Sequence, residues 1–325
     1  MKRKVFFTRR IPEIGIKMLQ KKYEVEVFPG PGNVDRDTLV QKIQGCDAIV
    51  TLLSDKIDEE LLQKAANLKI IANYAVGYNN IDIHAAMQHK IMVTNTPGVL
   101  TNATGEIAFA LMITLTRRII EADRFTRNGE FIGWDPLLFL GDELKGKTVG
   151  ILGMGRIGQD MASKCKAFGM RVIYHSRKPV SGEIEQKLDA VYCSLDQLLS
   201  QSDVISVHTP LNDKTYHLLG RESFCKMKNG VYLVNTSRGE VIDEGVLVEH
   251  LKSGKVKGAG LDVYEYEPEI TRELFSLSNV VLLPHIGSAT IETRNKMSEM
   301  VARNVIAGLE GERPENLVPE MSDLF

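Results

Sequence analysis

The run Thr148-Val-Gly-Ile-Leu-Gly153-Met154-Gly155-Arg156-Ile157-Gly158, followed by Gln159–Phe168, decides the fold. The first five residues read as a buried strand, and the residues from Gln159 carry a helical pattern. A glycine turn therefore joins a strand to a helix, the context in which GxGxxG has physical meaning. Gly153 permits the tight turn. Gly155 has no Cβ, so a pyrophosphate can approach the backbone, and Gly158 lets the helix pack close to the strand. Arg156 and Ile157 lie within the turn as cofactor-binding candidates, and the helix N-terminus after it offers free N–H groups and positive potential to an anion.

Outward from this turn, apolar strands read at 171–175, 190–192, 204–208, 231–235, 258–262 and 280–284, with helical patterns between most of them. Upstream, a separate alternation places strands at 5–8, 23–28, 48–52, 69–73 and 91–94. Helices read at 12–22, 36–44, 57–65 and 81–89. Strands alternating with helices give parallel sheets covered on both faces, so the fold class is α/β with two doubly wound sheets. The first domain is expected at 1–99 and the dinucleotide-binding domain at 100–286. The C-terminal segment 287–325, with a helix at about 292–308, is expected to return to the first domain. One long helix, about Thr104–Thr126, is expected between the two series, with Glu106 in its first turn, Arg124 and Arg127 near its end and Gly129 as its stop.

Cofactor choice is read one strand after the glycine turn. Arg171-Val-Ile-Tyr174 runs into His175-Ser176-Arg177-Lys178, with no Asp or Glu to accept from a ribose 2′-OH. A hydroxyl followed by two cations suits a 2′-phosphate instead. NADP(H) is the expected cofactor, with NAD(H) also accommodated; a solvated loop start would explain the same cations.

Three polar groups fall at carboxyl ends of later strands, where open α/β sheets bind ligands. Asn235-Thr236-Ser237-Arg238-Gly239 follows one strand, Asp262 ends the next with Glu267 close behind, and His285 follows the last. Hydride transfer to a ketone makes an alkoxide, so an acid must deliver a proton. Histidine titrates near neutral pH, and a carboxylate beside it stabilises the imidazolium. Arginine offers a fork of donors to a carboxylate or a polarised carbonyl. In the first domain, the N–H groups near Val76 and Gly77 in Tyr74-Ala-Val-Gly-Tyr-Asn79 suit a carboxylate, although a plain β–α turn accounts for the same residues.

With these motifs on the page, the chain resembles the D-isomer-specific 2-hydroxyacid dehydrogenase family over nearly its whole length. The resemblance rests on NYAVGYNNID around Gly77, GMGRIG at 153–158, HTPL at 208–211, NTSRGEVID at 235–243, GAGLDVYEYEP at 258–268 and LPHIGSAT at 283–290. It implies a flavodoxin-like substrate domain and a Rossmann coenzyme domain. It implies that Arg238 orients a 2-keto acid, that Glu267 pairs with His285 and that His285 donates the proton. It further implies that Asp262 meets the nicotinamide carboxamide, that Thr209, Pro210 and Thr236 line the cofactor, and that Leu53, Val76 and Gly77 meet the substrate. Leu52-Leu53-Ser54-Asp55, the stretch at 96–106 and the Ser176-Arg177 pair point within the family to glyoxylate/hydroxypyruvate reductases. Those reductases often carry an aromatic residue where Leu138 stands, so a larger keto acid such as 2-ketogluconate stays open. So do phosphite and a dinucleotide-sensing interaction role. The family also implies a homodimer through the long helix, whose apolar face suits either that or burial within one chain.

Composition points to neither a nucleic-acid nor a membrane partner, and the expected partner is the small 2-keto or 2-hydroxy acid that the resemblance implies. A formal net charge of -2, with 43% apolar and 25% charged residues, gives no footprint for nucleic acid. Basic residues at 2–4 and 9–10 flank a short apolar strand and read as solvated. No apolar run reaches the roughly 18 residues a bilayer requires, and the start carries no secretory apolar core. Cys46, Cys165, Cys193 and Cys225 show no metal-ligand spacing. Four free thiols and no metal site are expected, in a cytoplasmic enzyme.

Overall fold

The computed structural model describes residues 2–325 and divides into two units, Met1–Leu100 with Ser288–Phe325, and Thr101–Gly287. In the first, β1 (Lys4–Phe7), β2 (Glu24–Val27), β3 (Ala48–Thr51), β4 (Ile70–Asn73) and β5 (Met92–Thr94) alternate with α1 (Glu13–Gln20), α2 (Arg36–Gly45), α3 (Glu59–Leu62) and α4 (Ile83–Gln88). The strands are all parallel in the order β2-β1-β3-β4-β5, the flavodoxin-like order. Every residue of β3 and β4 is buried, as expected for strands covered on both faces. Asp35, Asp58 and Asp82 cap α2, α3 and α4 by accepting the backbone N–H three residues on.

The second unit opens with α5 (Thr101–Thr116) and α6 (Ile119–Arg127) and continues through β6 (Thr148–Leu152), α7 (Arg156–Ala167), β7 (Arg171–His175), α8 (Gly182–Leu188) and β8 (Ala190–Tyr192). After these come α9 (Leu195–Gln201), β9 (Val204–Val207), α10 (Arg221–Lys226), β10 (Val231–Asn235), α11 (Glu244–Lys252), β11 (Val256–Leu261) and β12 (Val280–Leu282). The parallel sheet runs β12-β11-β10-β9-β6-β7-β8, a Rossmann order with one further strand. Its two faces are legible along β10, where Val231 and Leu233 enter one apolar cluster and Tyr232 and Val234 the other. The chain then returns to the first unit as α12 (Ile291–Glu310), which packs on α1 and β4.

Two expectations need correction. The dinucleotide helix starts at Arg156 rather than Gln159, so Arg156, Ile157 and Gly158 form its first turn. The long helix is two helices. Arg118 takes a left-handed φ of 53°, and the carbonyl of Thr116 accepts from Asp142 N at 2.8 Å instead of from the next helical turn. The Thr116 hydroxyl also bonds back to Met112 O at 2.9 Å, a geometry that bends helices. A contact from residue 142 ends the helix, and no local pattern around 116 announces it. Among the described residues no helix is long and apolar enough to cross a membrane.

Candidate active site

The glycine turn lies where the strand order reverses, between β6 and β9. Gly153 has φ 101°, and a Cβ there would come within 2.7 Å of His208 O on the neighbouring strand end, so turn and close approach both require glycine. A Cβ on Gly155 would meet nothing within 4 Å. This open space lies at the N-cap of α7, which no side chain caps. Thr236 Oγ1 is buried and finds no partner among the described residues. Open space above uncapped N–H groups and an orphaned hydroxyl fit a bound dinucleotide. Thr209 and Pro210 follow β9, and Pro210 O accepts from Thr215 Oγ1 at 2.7 Å.

Beyond β7, Ser176 Oγ donates to Lys178 O at 2.7 Å, while the Arg177 and Lys178 side chains are exposed and pair with no carboxylate among the described residues. Tyr174 OH occupies the nearby acid Glu185 at 2.7 Å. The end of β7 thus carries two exposed cations and, within residues 175–178, no carboxylate to accept from a ribose hydroxyl.

The polar set beyond β10, β11 and β12 is built from the backbone up. Asn235, 1% exposed, accepts from Ser237 N and Oγ and donates to Arg238 O at 2.9 Å, fixing the Arg238 turn. The next residue must be glycine, because a Cβ on Gly239 would lie 1.8 Å from the Tyr264 carbonyl carbon. That approach sets the Arg238 turn against the segment carrying Glu267. Burial lowers the proton affinity of the Arg238 guanidinium, against the pull of Glu240 and Glu267, and an arginine so placed remains a cation.

His285 Nδ1 donates to Glu267 Oε2 at 2.9 Å, and each side chain is about one-third exposed, 33% and 35%. Glu267 also accepts from Tyr264 N at 3.0 Å. Burial acts to raise the Glu267 carboxyl, but the His285 hydrogen bond and charge, the Tyr264 N–H and Arg238 outweigh it and hold the group below its ordinary value. Asp262, 1% exposed, accepts from Ile286 N and Gly287 N at 2.7 Å each, clamping the turn that carries His285. Burial raises the Asp262 carboxyl, opposed by those N–H groups and by the His285 charge. Arg238, Glu267 and His285 therefore belong to one electrostatically connected group.

Two supports lay outside the sequence reading. Glu265 accepts from His217 Nε2 at 2.7 Å and from Glu244 N at 3.0 Å, while Glu244 accepts from Glu265 N at 2.8 Å. This latch holds the chain two residues before Glu267. Its members come from positions 217, 244 and 265, and no short-range pattern links them. In the first unit, Leu53 lies beyond β3 in a loop whose Leu52 N donates to Asp55 and whose Leu52 and Asp55 carbonyls accept from Asn80. Val76 and Gly77 lie beyond β4 and are partly exposed.

The family described as D-isomer specific 2-hydroxyacid dehydrogenase, NAD binding domain, matches residues 109–287. The chain is 54% identical over 324 residues to a glyoxylate reductase of Thermococcus litoralis, covering 98% of this chain and 97% of that one. Among solved structures, it is similar to a glyoxylate reductase from Paecilomyes thermophila, with a TM-score of 0.89, 36% identity, and 99% of each chain covered. It is also similar to the NADPH-dependent glyoxylate/hydroxypyruvate reductase of Sinorhizobium meliloti in complex with NADP and malonate. That match has a TM-score of 0.86 at 31% identity and covers 98% of each chain.

Proposed function

The chain belongs to the D-isomer-specific 2-hydroxyacid dehydrogenase family, and on that premise we propose that it reduces a short 2-keto acid, glyoxylate or hydroxypyruvate, with NADPH. It is an NAD(P)-dependent enzyme acting on a small 2-keto or 2-hydroxy acid. The observation that carries the chemistry is the His285–Glu267 hydrogen bond at 2.9 Å beyond the carboxyl edge of the Rossmann sheet.

When bound, the nicotinamide supplies the hydride. Gly153, Gly155, Arg156, Ile157 and Gly158 would hold the pyrophosphate, with Thr209, Pro210, Thr236 and Asp262 along the rest of the cofactor. Arg238 holds the keto group and balances the charge that develops on its oxygen. His285, with Nδ1 engaged by Glu267, delivers its proton from Nε2 to that oxygen. Glu267 keeps the ring oriented through this hydrogen bond. Leu53, Val76 and Gly77 meet the rest of the substrate, with the backbone N–H groups on its carboxylate.

NADPH is preferred because Arg177 and Lys178 are exposed and uncommitted beside Ser176, where a 2′-phosphate would stand. The relative from Sinorhizobium meliloti, named as NADPH-dependent, supports the same preference. The working form is a homodimer. Phe131, Ile132, Trp134, Leu137 and Leu140 are between 57% and 100% exposed on one loop, an apolar surface that a second copy would cover. Four free thiols suit a reducing cytoplasm.

A keto-acid panel run with both reduced cofactors tests the reading. Glyoxylate and hydroxypyruvate should exceed 2-ketogluconate in kcat/KM, and NADPH should exceed NADH by at least ~10-fold, as a paired phosphate implies. His285→Ala should lower kcat by roughly 10²- to 10⁴-fold in a folded protein. Near wild-type turnover in that variant would remove the proton-donor role, and a preference for NADH would remove the 2′-phosphate site.

A further inference from the structure

Three consecutive carbonyls beyond β4 are each tied to a donor. Ala75 O accepts from Thr96 N, Val76 O from Asn95 Nδ2 and Gly77 O from Asn73 Nδ2, each at 2.8 Å. The two asparagines are themselves held. Asn73 is fully buried and its Oδ1 accepts from Thr51 Oγ1 at 3.0 Å, which sets the amide so that nitrogen faces Gly77. Asn95 is 9% exposed, and its backbone N–H donates to Asn316 O at 3.2 Å. A trans peptide directs its N–H opposite its C=O. Anchoring these carbonyls therefore turns the N–H groups of Val76, Gly77 and Tyr78 away from the anchors. None of the three donates to a protein acceptor among the described residues, and all three residues are partly exposed.

We propose that Asn73 and Asn95 are positioning residues, whose side-chain amides fix the peptide planes at Val76–Tyr78 so that consecutive N–H groups receive the substrate carboxylate. The proposal rests on the reading that the carboxylate binds at Val76 and Gly77. Without Asn95 the Val76–Gly77 peptide is free to rotate, and a rotated peptide presents a carbonyl oxygen, rather than an N–H, to an anion. Neutral amides suit this task because, unlike a lysine or arginine, they do not compete for the carboxylate. The carboxylate keeps its charge throughout hydride transfer, so its binding is equal in ground and transition states and should register in KM.

The test uses the full-length enzyme with NADPH, glyoxylate as substrate and oxalate as a dicarboxylate probe. In the wild-type NADPH complex, oxalate should shift the amide ¹⁵N–¹H resonances of Gly77 and Tyr78. Asn95→Ala and Asn73→Ala should each raise the glyoxylate KM and the oxalate inhibition constant by roughly 3- to 10-fold, the loss of one hydrogen bond. The kcat should stay within about twofold and the NADPH KM should be unchanged, as expected for uniform binding. Asn95→Ser replaces Asn95→Ala if the latter does not fold. If the amide resonances move but neither variant changes KM, the positioning role is overturned and the carboxylate reading stands. If the resonances stay in place, both fall. Parallel losses in kcat, NADPH binding and melting temperature would show a general structural role and also overturn the proposal.

Discussion

His285 holds a left-handed backbone, φ 53°, which costs a non-glycine residue on the order of 1–3 kcal/mol and persists only where neighbours impose it. Here the neighbours are the Asp262 carboxylate on the next two N–H groups and Glu267 on the ring. Glu267→Gln keeps the shape and removes the negative charge from the ring's hydrogen-bond partner. Its kcat/KM for reduction should fall by roughly 10- to 100-fold, as expected when a charge-assisted hydrogen bond to the ring becomes a neutral one. An unchanged kcat/KM would refute the pairing. One residue outside the assigned chemistry has a shifted acidity. Burial pushes the partly buried His208 down to about 4 from an ordinary 6.5. Between those values the unfolded chain binds a proton that the folded chain does not, so stability falls as pH drops through this window and levels off below it. The effect is about 3–4 kcal/mol if the shift is fully expressed. As pH drops from 7 to 4, the wild-type melting temperature should fall relative to that of His208→Gln; parallel curves would exclude the contribution.

At the scale of elements, the return of α12 to the first unit depends on a helix contact of minimal depth. A Cβ on Gly15 of α1 would lie 2.2 Å from Ser298 O, and Gly15 N donates to Ser298 Oγ at 3.1 Å. Backbone cannot yield as a side chain does, so Gly15→Ala should cost about 1–3 kcal/mol. Gly32→Ala, where a Cβ meets nothing within 4 Å, should stay within about 0.5 kcal/mol. Urea unfolding of both variants compares the two, and equal midpoints would show that α1 and α12 adjust freely. The break between α5 and α6 teaches the complementary lesson. Its residues suit one continuous helix, but Asp142 N takes the Thr116 carbonyl. Helix ends set by local caps, such as Asp35, are legible in sequence, whereas ends set by distant hydrogen bonds are not.

The molecule as a whole combines two doubly wound sheets with an apolar loop left in solvent. Ile132 is fully exposed and Trp134 is 84% exposed, the apolar surface on which the proposed homodimer rests. Sedimentation should give twice the mass of one chain, and Ile132→Asp combined with Trp134→Asp should shift the species to a single chain at micromolar concentration. A wild-type monomer would rule out the dimer.

The sequence by itself determined the class of the two sheets, because buried parallel strands are apolar runs bounded by turn residues. It also placed the glycine turn between a strand and a helix, and Arg238, Glu267 and His285 beyond the carboxyl ends of three strands, because each strand end is a local feature. Tertiary structure alone decided the broken helix, the Glu244–Glu265–His217 latch, the clamp of Asp262 on the His285 turn and the asparagine anchors behind Val76 and Gly77. Except for the Asn73–Gly77 bond, each of these is a hydrogen bond between residues far apart in the chain. Such a bond depends on which strands become neighbours, and a periodicity read along one segment does not contain that information.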